Sequence, residues 1–161
     1  SDDPEDVNIA GMSASYLYKQ LRDYKDGNRD DRDMRKAVKK LDDQQMADLA
    51  VWFASLSPAP APADRTTDPA VLRLVFHGDP QRLLKACASC HGRRGGGGQF
   101  DHPALTGQYP EYLIYTLTEF KEGDRANDVY SRMRDVAQAL TEEEIEALAE
   151  YYAAAVPEEA E

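Results

Sequence analysis

Apolar residues recur at helical spacing in five stretches of the 161-residue chain, and no stretch alternates convincingly enough to predict a strand. The first runs from Ser15, with Leu17, Leu21 and Tyr24 on one face and Gly27 placed as a stop. A second spans about 44–55, with Asp42 as N-cap, Gln45 three residues on, and Met46, Leu49, Ala50 and Phe53 forming its apolar face. Asp68-Pro69 opens a third, fed by Val71, Leu72, Val75 and Phe76 and broken at Gly78-Asp79-Pro80. A fourth begins near Pro110, carries Leu113, Leu117 and Phe120, and stops at Gly123. The last starts at Thr141 with Glu144 as a capping box and turns Ile145, Leu148, Ala149 and Tyr152 inward. The chain is therefore expected to be all-α. Residues 28–33 read as a solvated charged loop, 92–98 as a flexible glycine-rich loop, and Ser1–Asp6 as a loose start. The alternating prolines of 57–62 cannot continue a helix. They predict a Pro/Ala linker over 57–67, between a segment 1–56 and a domain 68–156, with an acidic tail at 157–161.

The two segments are copies of one another. Gly11, Tyr16-Leu17, Leu21, Lys25, Gly27 and Arg29 match Gly107, Tyr112-Leu113, Leu117, Lys121, Gly123 and Arg125 at a constant offset of 96. After a three-residue insertion the offset becomes 99, and Met34, Leu41, Leu49, Ala50 and Phe53 match Met133, Leu140, Leu148, Ala149 and Tyr152. Shared glycines and methionines in one register are stronger evidence of a repeat than matching amphipathic faces.

Charge narrows the partners. Nineteen basic and thirty acidic residues give −11, which disfavours nucleic acid and anionic membrane surfaces and favours a basic partner surface. No apolar run approaches the ~20 residues of a membrane span. Ser1 opens a polar stretch rather than a leader, so an exported protein would already have lost its signal segment.

Chemistry concentrates at Cys87-Ala88-Ser89-Cys90-His91, which holds both cysteines of the chain. Cys-x-x-Cys-His is the attachment signal for c-type haem. Two thiols one helical turn apart can add across the vinyl groups of one porphyrin edge, and the following imidazole is then held where it can ligate the iron. Competing readings fit less well. A dithiol redox centre usually follows a strand of a βαβ unit, and a closed zinc site needs four Cys or His ligands, which His77 and His102 would supply at odd spacings. A disulfide across two intervening residues would gain little. One haem c per chain, covalent through Cys87 and Cys90, is the expectation. In the first copy the equivalent of Cys87 would fall upstream of Ser1, so that copy, as the chain is written, holds Met34 but no cysteine and no proximal histidine.

The second axial position has six candidates: Met133, Met12, Met34, Met46, His77 and His102. Met133 stands out, 42 residues after His91 in a polar segment rather than on an apolar helix face, although a half-buried gap-filler is the alternative. Tyr109, Tyr112 and Tyr130 read either as haem-lining residues or as ordinary aromatic packing. Arg125 reads either as a partner for a haem propionate or as a solvated surface arginine.

Residues 87–152 resemble a class I cytochrome c, and the tandem arrangement resembles the two-domain diheme cytochromes of the c-four type. The matching residues are Cys-Ala-Ser-Cys-His-Gly (87–92), Pro-Ala-Leu-Thr-Gly-Gln-Tyr (103–109), Tyr112-Leu113, Arg125-Ala-Asn-Asp128, Met133, and the stretch 140–152. The resemblance implies the class I fold, with His91 as proximal and Met133 as distal ligand and the Pro103 carbonyl on the other ring nitrogen of His91. It also makes residues 9–55 the later part of a sister domain. Relatives of that type carry two haems, whereas this chain has a site for one. The implied activity is one-electron transfer in the periplasm by a carrier rather than an enzyme. The alternative is a haem-bearing subunit of a larger dehydrogenase complex, docked through the haemless half. Redox proteins with a basic docking surface are the expected partners, steered by acidic residues around the haem edge. A homodimer through the haemless half is a further expectation.

Overall fold

The computed structural model describes residues 7–58 and 68–154. The start 1–6, the linker beyond 58 and the tail 157–161 lie outside the described residues. Among them are eight α-helices, α1 (Ala14–Asp26), α2 (Arg32–Val38), α3 (Asp43–Ala54), α4 (Pro69–Phe76), α5 (Ala88–His91), α6 (Pro110–Glu122), α7 (Arg132–Ala139) and α8 (Glu142–Ala153), and two single-turn 3-10 helices, Pro80–Arg82 and Val129–Ser131. An isolated bridge between Asp79 and Leu84 is the one β-type pairing among the described residues.

Helices α1, α3, α4 and α8 start where a side chain satisfies otherwise unpaired backbone donors, whereas α6 opens on Pro110, which has no N–H to satisfy. Ser13 caps α1, and Asp42–Gln45 and Thr141–Glu144 form reciprocal capping boxes on α3 and α8. Asp68 caps α4 with Pro69 in its first turn. Gly27 and Gly123 end α1 and α6 in the left-handed conformation, at φ 80° and 89°. That conformation costs a side-chain-bearing residue strain and glycine almost none.

The internal repeat is a repeat of packing. Helix α1 packs on α3 and α2 as α6 packs on α8 and α7. Gly11 donates its backbone N–H to the Phe53 carbonyl at 3.0 Å, and Gly107 donates to Tyr152 at 3.2 Å. Lys25 donates Nζ to the Leu41 carbonyl and Lys121 to the Leu140 carbonyl. Arg29 lies over the Tyr24 ring at 4.7 Å, and Arg125 lies over Phe120 at 4.5 Å.

Residues 7–58 hold no counterpart of α4, and the difference registers in burial. Val71, Leu74 and Val75 of α4 join Leu113, Ile145, Leu148, Ala149, Tyr151 and Tyr152 in one core. Leu148 and Tyr151 are 3% exposed there, whereas their mates Leu49 and Trp52 on α3 are 36% and 55% exposed. The first copy closes a smaller core of Met12, Tyr16, Leu17 and Ala50.

Two helices depart from expectation. Helix α2 begins at Arg32, inside the 28–33 stretch expected as a loop, and Met133, expected in a polar segment, sits at the second position of α7. Carboxylates hold both starts: Asp31 accepts from the N–H groups of Asp33 and Met34, and Asp128 accepts from those of Met133 and Arg134.

Candidate haem site

Helix α5 is a single turn that carries the attachment sequence, so Cys87 and Cys90 lie one turn apart with both thiols free. The Cys87 Sγ rests 3.7 Å from the Leu74 carbonyl of α4, and burial pushes its thiol up to about 11. His91 is buried, and its Nδ1 lies 2.9 Å from the Pro103 carbonyl. A bond there makes Nδ1 the protonated nitrogen and leaves Nε2 with the lone pair a metal needs. Burial, partly offset by the Pro103 bond, lowers the His91 pKa and keeps the imidazole in the neutral, ligating form. The donor set fits a covalently tethered haem: two free thiols on one turn, then a neutral imidazole of fixed tautomer. It does not fit a closed zinc site, since among the described residues no third His, Cys, Asp or Glu converges on the pair.

The glycine run after the motif is packed rather than flexible. Gly97 donates to the His91 carbonyl at 2.9 Å, and the Gly95 carbonyl accepts from the N–H groups of Leu105 and Thr106. A Cβ on Gly97 would come within 2.7 Å of the Ala104 nitrogen, and one on Gly95 within 2.6 Å of Thr106 Oγ1. Glycine is required at both, on steric grounds and because φ is 84° and 71°. The run therefore clamps the 102–106 segment, and with it the Pro103 carbonyl, against His91.

The other candidates separate. Met133 is half-buried on α7, which packs on α6. Met12 and Met46 are core residues, at 7% and 0% exposure, and His77 is exposed. The His102 ring centroid lies 6.4 Å from that of His91, next to the Pro103 that engages Nδ1. Tyr109 is half-buried as the N-cap of α6. Tyr130 is 83% exposed on a left-handed backbone, so it does not pack in a core.

Tyr112 and Arg125 meet the first copy. Arg29 Nη2 donates to the Tyr112 hydroxyl at 3.1 Å, and Arg125 Nη2 donates to the Tyr16 hydroxyl at 3.4 Å. Each half thus lends a guanidinium to the other half's tyrosine. Gln20 Oε1 accepts from Arg29, Arg125 and Asn127. Burial alone would raise the Tyr112 phenol, but Arg29 and Arg125 outweigh it and hold the group below its ordinary value. Arg125 is 5% exposed, so the reading of a solvated surface arginine is overturned. A second cluster across the seam joins Asn8 to the Gln108 side chain and the Gly107 carbonyl. Gln20, Asn8 and Asn127 carry no local signal of this role. The recurrence of Tyr16/Tyr112 and Arg29/Arg125 in one register was the available clue.

Along the described chain around the attachment sequence, residues 73–100, the exposed charged side chains are Arg73, Lys85, Arg93 and Arg94.

Comparison with known proteins agrees with this geometry. The cytochrome c family model matches residues 81–153. Cytochrome c4 of Thiocapsa roseopersicina is 35% identical over 145 residues, covering 89% of this chain and 75% of that protein. The thiosulfate dehydrogenase electron acceptor of Stutzerimonas stutzeri (strain A1501) is 33% identical over 151 residues, covering 90% and 68%. The crystal structure of reduced recombinant cytochrome c4 from Pseudomonas stutzeri superposes with a TM-score of 0.86 at 33% identity, covering 96% of this chain and 87% of that one. The class is thus an all-α electron carrier of class I cytochrome c fold rather than an enzyme. Within that class, the chain belongs to the cytochrome c4 family. Cys87, Cys90 and His91 form its attachment sequence for a haem c.

Proposed function

We propose that residues 68–154 hold a c-type haem between His91 and Met133 and pass one electron at a time between redox proteins of the periplasm. The observation that carries this reading is the free thiol pair on α5 followed by a buried imidazole whose Nδ1 is committed to Pro103. A bound haem would supply the one-electron couple; Cys87 and Cys90 would tether it, Pro103 and the glycine clamp orient His91 as one ligand, and Met133 would offer its thioether as the other. Thioether opposite imidazole favours reduced iron and closes the site to small ligands, which suits transfer between proteins better than substrate chemistry. A periplasmic setting follows from the extracytoplasmic assembly implied by covalent attachment. Among the described residues no helix is long and apolar enough to cross a membrane. We read residues 7–58 as the later helices of a sister domain, joined to the haem domain through 57–67. An absorption spectrum of the reduced protein with no c-type α band would refute the reading.

A second reading is favoured by one observation. Leu41, Leu49 and Trp52 of the first copy line a shallow groove on the α3 face whose counterpart on α8 is covered by α4. In this reading that face docks the chain into a dehydrogenase complex, as the name of the thiosulfate dehydrogenase electron acceptor suggests for that relative. It is also the face a second copy would bury in a homodimer. Sedimentation of the purified protein as a monomer, with nothing bound, would leave only the free carrier.

A further inference from the structure

The net charge of −11 is unevenly distributed. Residues 73–100, which carry the attachment sequence, hold five basic side chains (Arg73, Arg82, Lys85, Arg93 and Arg94) and one acidic one (Asp79), a net of +4. The remainder of the chain therefore carries −15. Arg82 is neutralised where it stands, since it pairs with Asp79 at 2.9 Å and with Glu144 at 2.8 Å. That same pairing occupies Asp79, the one carboxylate of the segment. Arg73, Lys85 and Arg93 are exposed.

These side chains flank the thiols in sequence, and Phe76, over which Arg93 lies, packs against the same core as Cys87. Cys87 Sγ abuts the carbonyl of Leu74, whose neighbour is Arg73. Lys85 precedes Cys87 by two residues, and Arg93 follows His91 by two. The Arg93 guanidinium lies 5.0 Å over the Phe76 ring, which fixes it against the end of α4. In the same segment Leu83 is 91% exposed on a left-handed backbone, an apolar contact within a basic rim. At physiological salt the screening length is about 8 Å. A partner touching this rim therefore feels chiefly the charges within about that length of it.

We propose that this basic rim around the Cys87–His91 edge docks an acidic redox protein, one with a carboxylate-rich docking face. The acidic remainder of the chain orients the approach by repelling such a partner from every other side. The inference rests on the reading that haem c is tethered there, and it replaces the expectation of a basic partner.

Small redox ions test the sign of the local field. The ferrous haem-loaded protein is mixed in stopped flow with ferricyanide, an anion. One electron leaves the haem, ferricyanide becomes ferrocyanide, and no proton moves. The rate should fall about tenfold as salt rises from about 10 to about 200 mM. With the cationic tris(phenanthroline)cobalt(III) ion it should rise. The Lys85→Glu/Arg93→Glu variant should reverse both slopes while keeping the wild-type spectrum. A ferricyanide rate that rises with salt, as the net charge of −11 dictates, would overturn the proposal, and so would slopes unchanged in the variant. Absence of the α band would instead bring down the haem reading, and this inference with it.

Discussion

Replacing Arg125 with leucine is expected to lower the unfolding free energy of the haem-loaded protein by about 2–3 kcal/mol, the scale of buried hydrogen bonds to a charged group. The guanidinium makes three hydrogen bonds at once: Nε to Asn127 Oδ1 at 3.0 Å, and Nη2 to Gln20 Oε1 at 3.2 Å and to the Tyr16 hydroxyl at 3.4 Å. It also covers the Phe120 ring. Leucine occupies much of the same volume, so the loss comes from stranded polar atoms rather than from a cavity. Gln20 Oε1 keeps Arg29 and Asn127 as donors, whereas the Tyr16 hydroxyl and Asn127 Oδ1 each lose one. Relief of guanidinium desolvation offsets part of the loss, because the hydrogen-bonding partners are all neutral. Arg125→Lys should recover only a fraction, since a single ammonium cannot reproduce the planar fork. Arg29→Leu acts on the mirrored contact, and the double variant should cost less than the sum because both side chains serve Gln20. Urea titration measures all of these. A loss below about 0.5 kcal/mol for Arg125→Leu, the level of an ordinary surface change, would mean that the seam does not hold the halves together.

The seam also marks the limit of what the sequence discloses. Periodicity placed α1, α3, α4, α6 and α8 to within a residue or two, because their caps and apolar faces are local signals. Helices α2 and α7 escaped it. Each is seven or eight residues long and highly charged, too short to be stable alone. Asp31 and Asp128 secure their first turns, and that contribution does not show as a hydrophobic pattern. The glycine run misled for a related reason. Composition alone reads it as flexible, whereas Gly95 and Gly97 are glycines because other backbone and side-chain atoms approach where a Cβ would stand. Cys87, Cys90 and His91 were legible because covalent attachment imposes strict local spacing, whereas Pro103, twelve residues on, came only from the resemblance to class I cytochromes c. Arg125 and Tyr112 were singled out for a cofactor, and their bonds to residues 109 and 83 positions away were not foreseen. No window of local sequence contains both partners. The repeat does contain the information, because a tyrosine and an arginine preserved in both copies can cross-pair about a pseudo-two-fold axis.

Met133→Leu is expected to abolish the weak methionine–iron band near the red end of the spectrum. It should also lower the midpoint potential by on the order of 0.1 V, a modest share of the roughly 0.8 V that axial ligands span. Leucine is close to methionine in volume, so packing on α7 should change by less than about 1.5 kcal/mol. The helix start should survive, because Asp128 holds the backbone N–H of residue 133 at 2.9 Å whatever side chain stands there. What leaves is the thioether, and with it the preference for reduced iron. The opened position should then take up carbon monoxide in the reduced protein, which the parent should resist. Met34→Leu supplies an internal control, since Met34 is the repeat mate of Met133 and equally half-buried on its own helix. It should leave band, potential and carbon monoxide binding unchanged, because its half offers no Cys-x-x-Cys-His within the described residues. Persistence of the red-end band in Met133→Leu would exclude Met133 as the ligand. Its loss in Met34→Leu would move the assignment to the first copy, and with it the seam that Arg29 and Arg125 close would become part of the haem site itself.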